Sequence, residues 1–325
     1  MNTEPFSRRN AIKTGMAATL GLASGMVAGM EQQSQPNPFK EENQSLPFRI
    51  CLNTSTLMAY QLPVDQQIDL IAAAGFNGTE LWMRDIVAFL DAGGSRAALR
   101  DKLEDGNLIL ENIIGFSQWC NDDSEERQKA IDQLAAEMAI ISDLGGTYIA
   151  TPVMGIQNLD PLKFDEYAAR YRAILELGDQ TGVYPLLELW GMGALHRVSD
   201  CAQITIASGH PKAAMLLDIY HVHRGGNTWD TVDVLNGGRL PVIHMNDYPS
   251  QPAYNELKDS DRVLPGAGSC PFNTVIPKLY HAGFRGGFSV ELFNQGYWAK
   301  WDAKTMLEQS YNATVSVLTQ AMQGV

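Results

Sequence analysis

An α/β fold, a (β/α)8 TIM barrel over residues 48–325, follows from three features of the sequence. Eight short β-rich runs alternate with longer amphipathic stretches, the pattern of repeated βα units on a parallel sheet. Glycine-marked ends such as AAAGF, LGG, QTG and HAGF close those stretches where the chain must turn back into a strand. The first run leads into CLNTSTL, with neither GxGxxG nor GxxxxGK[ST], so the Gly-rich phosphate turn usual in a doubly wound open sheet is missing.

Residues 1–30 read as an export signal. SRRNAIK, Ser7 to Lys13, sets an arginine pair ahead of a mildly apolar stretch, Thr14 to Met30, in the manner of a twin-arginine signal. Ala11 stands where such signals usually carry an aromatic residue. Cargo of this kind folds before export. The expected location is therefore periplasmic or otherwise extracytoplasmic in a bacterium, with any metal acquired beforehand and no stable membrane span in the mature protein. Glu31 to Pro47, rich in Gln, Asn, Glu and Pro, reads as a solvated linker.

The candidate strands are FRICLNT at 48, GTELWM at 78, LILENIIG at 108, TYIATPV at 147, YPLLELW at 184, AMLLDIY at 214, PVIHMND at 241 and GFSVELF at 287. Each is a short apolar run of the kind that a sheet buried on both faces requires. Helices are expected at 65–75, at 124–145, where the start at Ser124 can cap the first turn, and at 164–182.

A chain of 325 residues is long for one ordinary domain but common for an α/β barrel, and its 45% hydrophobic content supplies a full core. The net charge of -13 argues against nucleic-acid and anionic-membrane partners, because phosphate binding needs clustered Lys and Arg and no cationic run follows residue 13. Cys51, Cys120, Cys201 and Cys270 have no CxxC or metal-finger spacing and predict no disulfide framework.

Active sites of such barrels lie at the carboxyl ends of the strands. Four late strands end in a metal-ligating residue after an apolar run: Glu188 in LLELW, Asp218 in LLDIYH, His244 in VIHMND and Glu291 in SVELF. A carboxylate turned into the barrel must be paired or metal-bound, since burying it alone costs several kcal/mol. Any one of these acids reads equally well as a capped or salt-bridged strand end. Three that converge repel one another, and one divalent cation is the simplest remedy. Three oxygen ligands and one imidazole suit Mn²⁺, Mg²⁺ or Co²⁺, with Zn²⁺ admissible. A cation so held polarises a carbonyl and an adjacent hydroxyl.

The set LELWG, LLDIYHVH, VIHMND, RVLPGAG and FSVELF resembles the xylose isomerase-like TIM-barrel superfamily, the sugar isomerase and epimerase branch with ketose 3-epimerases, inosose dehydratases and hydroxypyruvate isomerase. The similarity runs from about residue 48 to 320, strongest at the D-x-x-H of Asp218 and His221 and at the V-E-L-F around Glu291. The resemblance implies metal ligands at Glu188, Asp218, His244 and Glu291, a substrate-binding histidine at His221, and proton exchange next to a ketone by Glu188 and Glu291. Asn246 replaces the lysine frequent in the family's H-x-K-D stretch. That removes a cation and disfavours a phosphorylated substrate, while Arg262 remains to bind a substrate oxygen. The superfamily's zinc endonuclease branch needs further histidines on strands two and three, where ELWMR and ENIIGF have none.

Weaker candidates for substrate contact are Asn53 at the end of the first strand, Trp190, and His196 in the loop after Glu188. Trp82, Trp298 and Trp301 offer aromatic faces to a sugar or pack as core, and Glu80 reads as a hydrogen-bonding or a substrate residue. His223 shares a strand face with His221 if the strand continues, but reads better as a loop histidine; His210 and His281 are expected to face solvent. The chain is thus expected to be a divalent-metal-dependent isomerase or epimerase of a non-phosphorylated sugar, keto-sugar or cyclitol, with room for a homo-oligomer. Two rivals stand beside it: a lyase or dehydratase of a 3-keto-glycoside or inosose on the same site, and a non-catalytic carbohydrate-binding barrel.

Overall fold

The computed structural model describes residues 46–325, so the export signal expected at 1–30 and most of the linker expected at 31–47 lie outside the described residues. Eight parallel strands close into a barrel in chain order. They are β1 (Arg49–Asn53), β2 (Gly78–Trp82), β3 (Ile109–Ile114), β4 (Tyr148–Pro152), β5 (Tyr184–Glu188), β6 (Ala214–Asp218), β7 (Val242–Met245) and β8 (Gly287–Val290). β8 pairs with β1 to complete the ring, Arg49 opposite Gly287 and Leu52 opposite Val290. Both faces of the sheet are covered, by helices outside and by the barrel's own filling inside, which explains why β2 and β6 are buried at every position.

The expected helices form at Val64–Ala74, Ser124–Asp143 and Phe164–Thr181. The second is capped one residue earlier than expected, by Asp123, whose carboxylate accepts the N–H groups of Glu125 and Glu126. A pair not separated in the sequence, Met83–Asp91 and Arg96–Asp105, fills the β2 to β3 connection. The last helix, Ala303–Ala321, packs beside Phe272–His281 and Val64–Ala74 and so closes the outer ring.

The AMLLDIY run does not continue as a strand. β6 stops at Asp218, and Ile219–Arg224 is a short helix whose first N–H groups need a cap, supplied by the Asp218 carboxylate accepting from His221 N at 2.9 Å. His221 and His223 therefore do not share a strand face. His223 instead stacks on Tyr248, ring centroids 3.7 Å apart.

Strand alternation turns every second residue inward. Trp82, Ile114, Ala150, Leu186, Ala214, Leu216 and Val242 fill the interior. One irregularity interrupts it: Thr79 pairs with Leu110 but Glu80 with Asn112, so Glu111 is an extra residue in β3. This bulge points two successive side chains into the barrel, Glu111 toward its amino end, where it meets Arg49, and Asn112 toward its carboxyl end, where it meets Glu80. Gly287 makes space for Glu111, since a Cβ there would stand 3.2 Å from Glu111 Cδ and 2.9 Å from Cys51 Sγ. All four cysteines are free thiols. Among the described residues, no helix is long and apolar enough to cross a membrane.

Candidate active site

The four strand-end residues meet at the carboxyl end of the barrel, around His244. The His244 imidazole is fully buried, and its Nδ1 lies 3.1 Å from Glu291 Oε2, 3.4 Å from Asp218 Oδ2 and 3.7 Å from Glu188 Oε1. On the opposite edge of the ring, Nε2 lies 3.2 Å from Glu80 Oε2. Asp218 keeps its orientation because the helix it caps holds Oδ1, while Asn246 Nδ2 donates to Oδ1 and Oδ2 at 3.2 and 3.3 Å. Glu291 Oε1 accepts from Asn53 Nδ2 at 3.0 Å.

Arg262 enters from the loop after β7. Asp247 gathers that loop by accepting the N–H groups of Gly266, Gly268 and Cys270, and Asp247 and Val263 exchange backbone hydrogen bonds of 2.9 Å. Only glycine fits at 268, where a Cβ would stand 2.4 Å from the Tyr248 carbonyl oxygen. The result is an arginine held 1% exposed: its Nη1 donates to Asp218 Oδ2 and Glu291 Oε2, both at 2.6 Å, and its Nη2 donates to Asp259 at 2.9 Å and faces His221 Nε2 at 3.0 Å.

Burial and crowding set the protonation states. Burial pushes the Glu188 carboxyl up to about 8, with Glu291 and Asp218 adding to the rise against the pull of His244. Burial likewise raises Glu291, opposed by His244 and Arg262. Burial also resists the ionisation of Asp218, but Arg262, His221 and His244 outweigh it and hold that carboxyl well below its usual range. Burial takes His221 down to about 4, so it is neutral at pH 7. Because a guanidinium can only donate, His221 Nε2 accepts from Arg262 and the proton sits on Nδ1, which has no partner among the described residues. Burial would lower His244, but Glu291, Glu80 and Asp218 overcome it and hold the ring well above its ordinary value.

Does this donor set suit a cation? Asp218, His244 and Glu291 each offer one atom, and these atoms lie within 4.8 Å of one another. Glu188 stands just outside that triad but still faces His244 Nδ1. His244 Nδ1 and Glu188 Oε2 are buried and make no hydrogen bond among the described residues. Four buried carboxylates, Glu80, Glu188, Asp218 and Glu291, share one arginine and one histidine. Oxygen and imidazole donors in excess negative charge fit a hard or borderline divalent ion.

Beside the cluster lies a cavity of about 200 Å³. Its polar wall is Glu188, His221, Asp259, Arg262 and Glu291; the other wall is Trp82, Ile114, Phe116, Trp190, Met192 and Phe293. The aromatic rings form a continuous arc, with centroid separations of 6.5 Å from Phe293 to Trp82, 5.2 Å to Phe116 and 6.0 Å on to Trp190.

Glu188, Asp218, His221, His244, Arg262, Glu291 and Trp190 are thus brought together. Two expected substrate contacts, Asn53 and His196, do not line the cavity. Asn53 is fully buried behind Glu291, its amide oxygen accepting from Ser55 N and Trp82 Nε1, so it holds Glu291 and Trp82 instead of facing the cavity. His196 is exposed in a separate surface depression with Arg197 and Arg224, because the loop after β5 carries it outward. Trp298 donates to the Thr56 carbonyl and Trp301 stacks on Tyr297, away from the cavity wall. His210 is buried against Asp179 rather than solvent-facing, whereas His281 is exposed. The sequence did not single out Ile114, Phe116, Met192, Asp259 or Phe293; Ile114 ends β3, and Phe116, Met192 and Phe293 follow β3, β5 and β8 within a few residues, which was the available signal, whereas Asp259 lies well into the loop after β7.

A closed barrel with a buried cluster of carboxylates and one imidazole that could hold a cation at the ends of β5 to β8 defines a class of α/β barrels with an acid-lined site. Within it, the chain belongs to the xylose isomerase-like TIM barrel family, whose model matches residues 68–313. Among curated proteins it is similar to an inosose isomerase of Bacillus licheniformis, 26% identical over 219 residues, which are 66% of this chain and 76% of that one. Among solved structures it resembles the IolI protein with a bound zinc atom, TM-score 0.77 at 19% identity, covering 84% of this chain and 99% of that one. It also resembles L-ribulose 3-epimerase, TM-score 0.67 at 17% identity, covering 85% of this chain and 96% of that one.

Proposed function

We propose that this barrel is a divalent-metal-dependent isomerase or epimerase of a non-phosphorylated sugar, keto-sugar or cyclitol, moving a proton next to a carbonyl. One observation carries the reading: Asp218, His244 and Glu291 present ligand atoms within 4.8 Å of one another, with Glu188 facing the same imidazole. Isomerase and epimerase names among the similar proteins support the reaction class, and the zinc-bound relative supports the metal. Mn²⁺, Mg²⁺ and Co²⁺ suit the donors, and Zn²⁺ is admitted.

When bound, the cation polarises the substrate carbonyl and its neighbouring hydroxyl, which makes the proton between them removable. Glu188 and Glu291 are the two groups that move it. Glu188 Oε2 has no hydrogen-bond partner among the described residues and is open to take a proton, whereas Glu291 is steered by Asn53 and Arg262. His221, neutral, donates its Nδ1 proton in a hydrogen bond to a substrate oxygen, and Arg262 supplies fixed positive charge beside it. The absence of a lysine at Asn246 supports a substrate without phosphate. Trp190 and its aromatic neighbours cover the apolar face of a sugar ring.

The apolar wall favours one further reaction on the same groups, elimination from a keto-glycoside whose aglycone rests there. A panel of keto-sugars, cyclitols and glycosides followed by NMR in deuterium oxide separates the two. Deuterium gain with a diastereomer or aldose-ketose pair supports the proposal; release of water or an aglycone supports elimination. Activity that survives complete removal of divalent ions sinks the metal-dependent reading. Export by the Arg8 and Arg9 signal remains part of the proposal, and cell fractionation that finds the mature chain only in the cytoplasm overturns it.

A further inference from the structure

We infer that Glu80, held by Asn112, is a positioning residue that turns His244 so that Nδ1, rather than Nε2, faces the ligand carboxylates. The inference rests on the reading of Asp218, His244 and Glu291 as a cation centre. Glu80 is fully buried on β2 and is not among the residues that line the cavity, so it does not meet substrate. Its Oε2 lies 3.2 Å from His244 Nε2 and accepts from Asn112 Nδ2 at 2.8 Å. Only a protonated Nε2 can hydrogen-bond a carboxylate, and that leaves Nδ1 as the ligand atom, the nitrogen that lies 3.1 Å from Glu291 and 3.4 Å from Asp218.

The β3 bulge is an independent observation pointing the same way. With regular pairing the residue opposite Glu80 would be Glu111, since Leu110 pairs with Thr79. Two carboxylates would then meet, and Glu80 would lose its anchor. The extra residue sends Glu111 to Arg49 and brings in an amide, which can donate to Glu80 without competing for the imidazole. A buried carboxylate with no access to substrate is costly to keep, and fixing the ring that binds the cation gives it a reason to be there.

The test uses the full chain. Isothermal titration with Mn²⁺ compares the parent with Glu80→Ala and Glu80→Gln, and ¹⁵N-histidine NMR reads the ring nitrogens with and without Zn²⁺. Expected are Mn²⁺ affinity roughly 10- to 100-fold weaker in Glu80→Ala, a smaller loss in Glu80→Gln, whose amide oxygen still accepts from Nε2–H, and a zinc-loaded parent with the His244 proton on Nε2. Unchanged affinity in a folded Glu80→Ala, or a proton on Nδ1 in the zinc-loaded parent, overturns the inference. Should Glu80→Ala fail to fold, Glu80→Gln and the parent spectrum decide. A parent that takes up no divalent ion sinks the cation reading instead. The metal-free spectra then decide this inference: a slowly exchanging Nε2–H lost on Glu80→Ala supports it, and none in the parent overturns it.

Discussion

Both ends of the barrel bury carboxylates, and they do so in opposite ways. At the amino end Glu111 is matched: Arg49 reaches both its oxygens, with Nη2 to Oε2 at 2.8 Å, and Cys51 Sγ lies 3.5 Å from Oε1. At the carboxyl end Glu80, Glu188, Asp218 and Glu291 crowd around one arginine and one histidine, and Glu188 Oε2 has no hydrogen-bond partner among the described residues. Size does not mark the site, because a larger depression of about 550 Å³ lined by Arg49, Phe76 and Tyr311 lies at the amino end. Surplus charge does. A matched ion pair fills and ties the barrel, whereas unmatched acids are a standing cost that a cation offsets.

The largest expected difference between the two ends is in turnover. Glu188→Gln lowers kcat by about 10²- to 10⁴-fold, while Glu111→Gln leaves the kcat of the folded protein unchanged, both read by NMR on whichever substrate the panel identifies. Comparable losses from both substitutions would erase the distinction between a chemical and a structural carboxylate.

Stability comes next and has the opposite sign. Glu111→Gln leaves Arg49 without a counter-charge and lowers unfolding stability by roughly 1–2 kcal/mol, a modest figure because 36% of the Arg49 side chain stays in solvent. In metal-free protein Glu188→Gln raises stability, and the gain depends on pH. The Glu188 carboxyl is raised from 4.5 to about 8 on folding, so the parent is favoured below 4.5 and loses stability as pH rises through about 8. The advantage of Glu188→Gln therefore grows between pH 4.5 and about 8, which urea titration in EDTA measures. A gain that shrinks across that window would show that Glu188 is matched after all.

The smallest effect is on cation uptake. Below about 8 Glu188 holds a proton in the free protein, so binding a divalent ion must displace it and affinity rises with pH, by up to about tenfold per unit for each proton released. His244, held protonated in the free protein, gives up a proton as well, so calorimetry in buffers of different ionisation enthalpy counts one proton fewer in Glu188→Gln than in the parent at pH 7. Equal counts would mean that Glu188 is not a ligand and that the triad of Asp218, His244 and Glu291 suffices.

The barrel was legible because each strand is a short apolar run and each helix an amphipathic one, and the spacing leaves few other ways to bury them. The four strand-end residues were legible for the same reason: an acid or histidine after an apolar run on successive strands has one place to go. Less was visible where local chemistry overrode pattern. The β6 run broke at Asp218 because that carboxylate caps a helix, and this moved His223 onto Tyr248. Asn53 looked like a substrate contact and became a holder of Glu291, since side-chain direction at a strand end depends on its neighbours.

By itself, then, the sequence determined the eightfold alternation, the family, and the identity of the acids and the histidine at or next to the ends of β5 to β8. Only the tertiary structure decided the rest: that Arg262 lies between Asp218 and Glu291, that His196 turns outward, and that Glu111 and Asn112 part at a bulge to serve opposite ends. The physical reason is range. Periodicity and apolar runs are local and can be read along the chain, but matching a buried charge requires knowing which distant charge lies within a few ångströms, and barrel closure alone sets that.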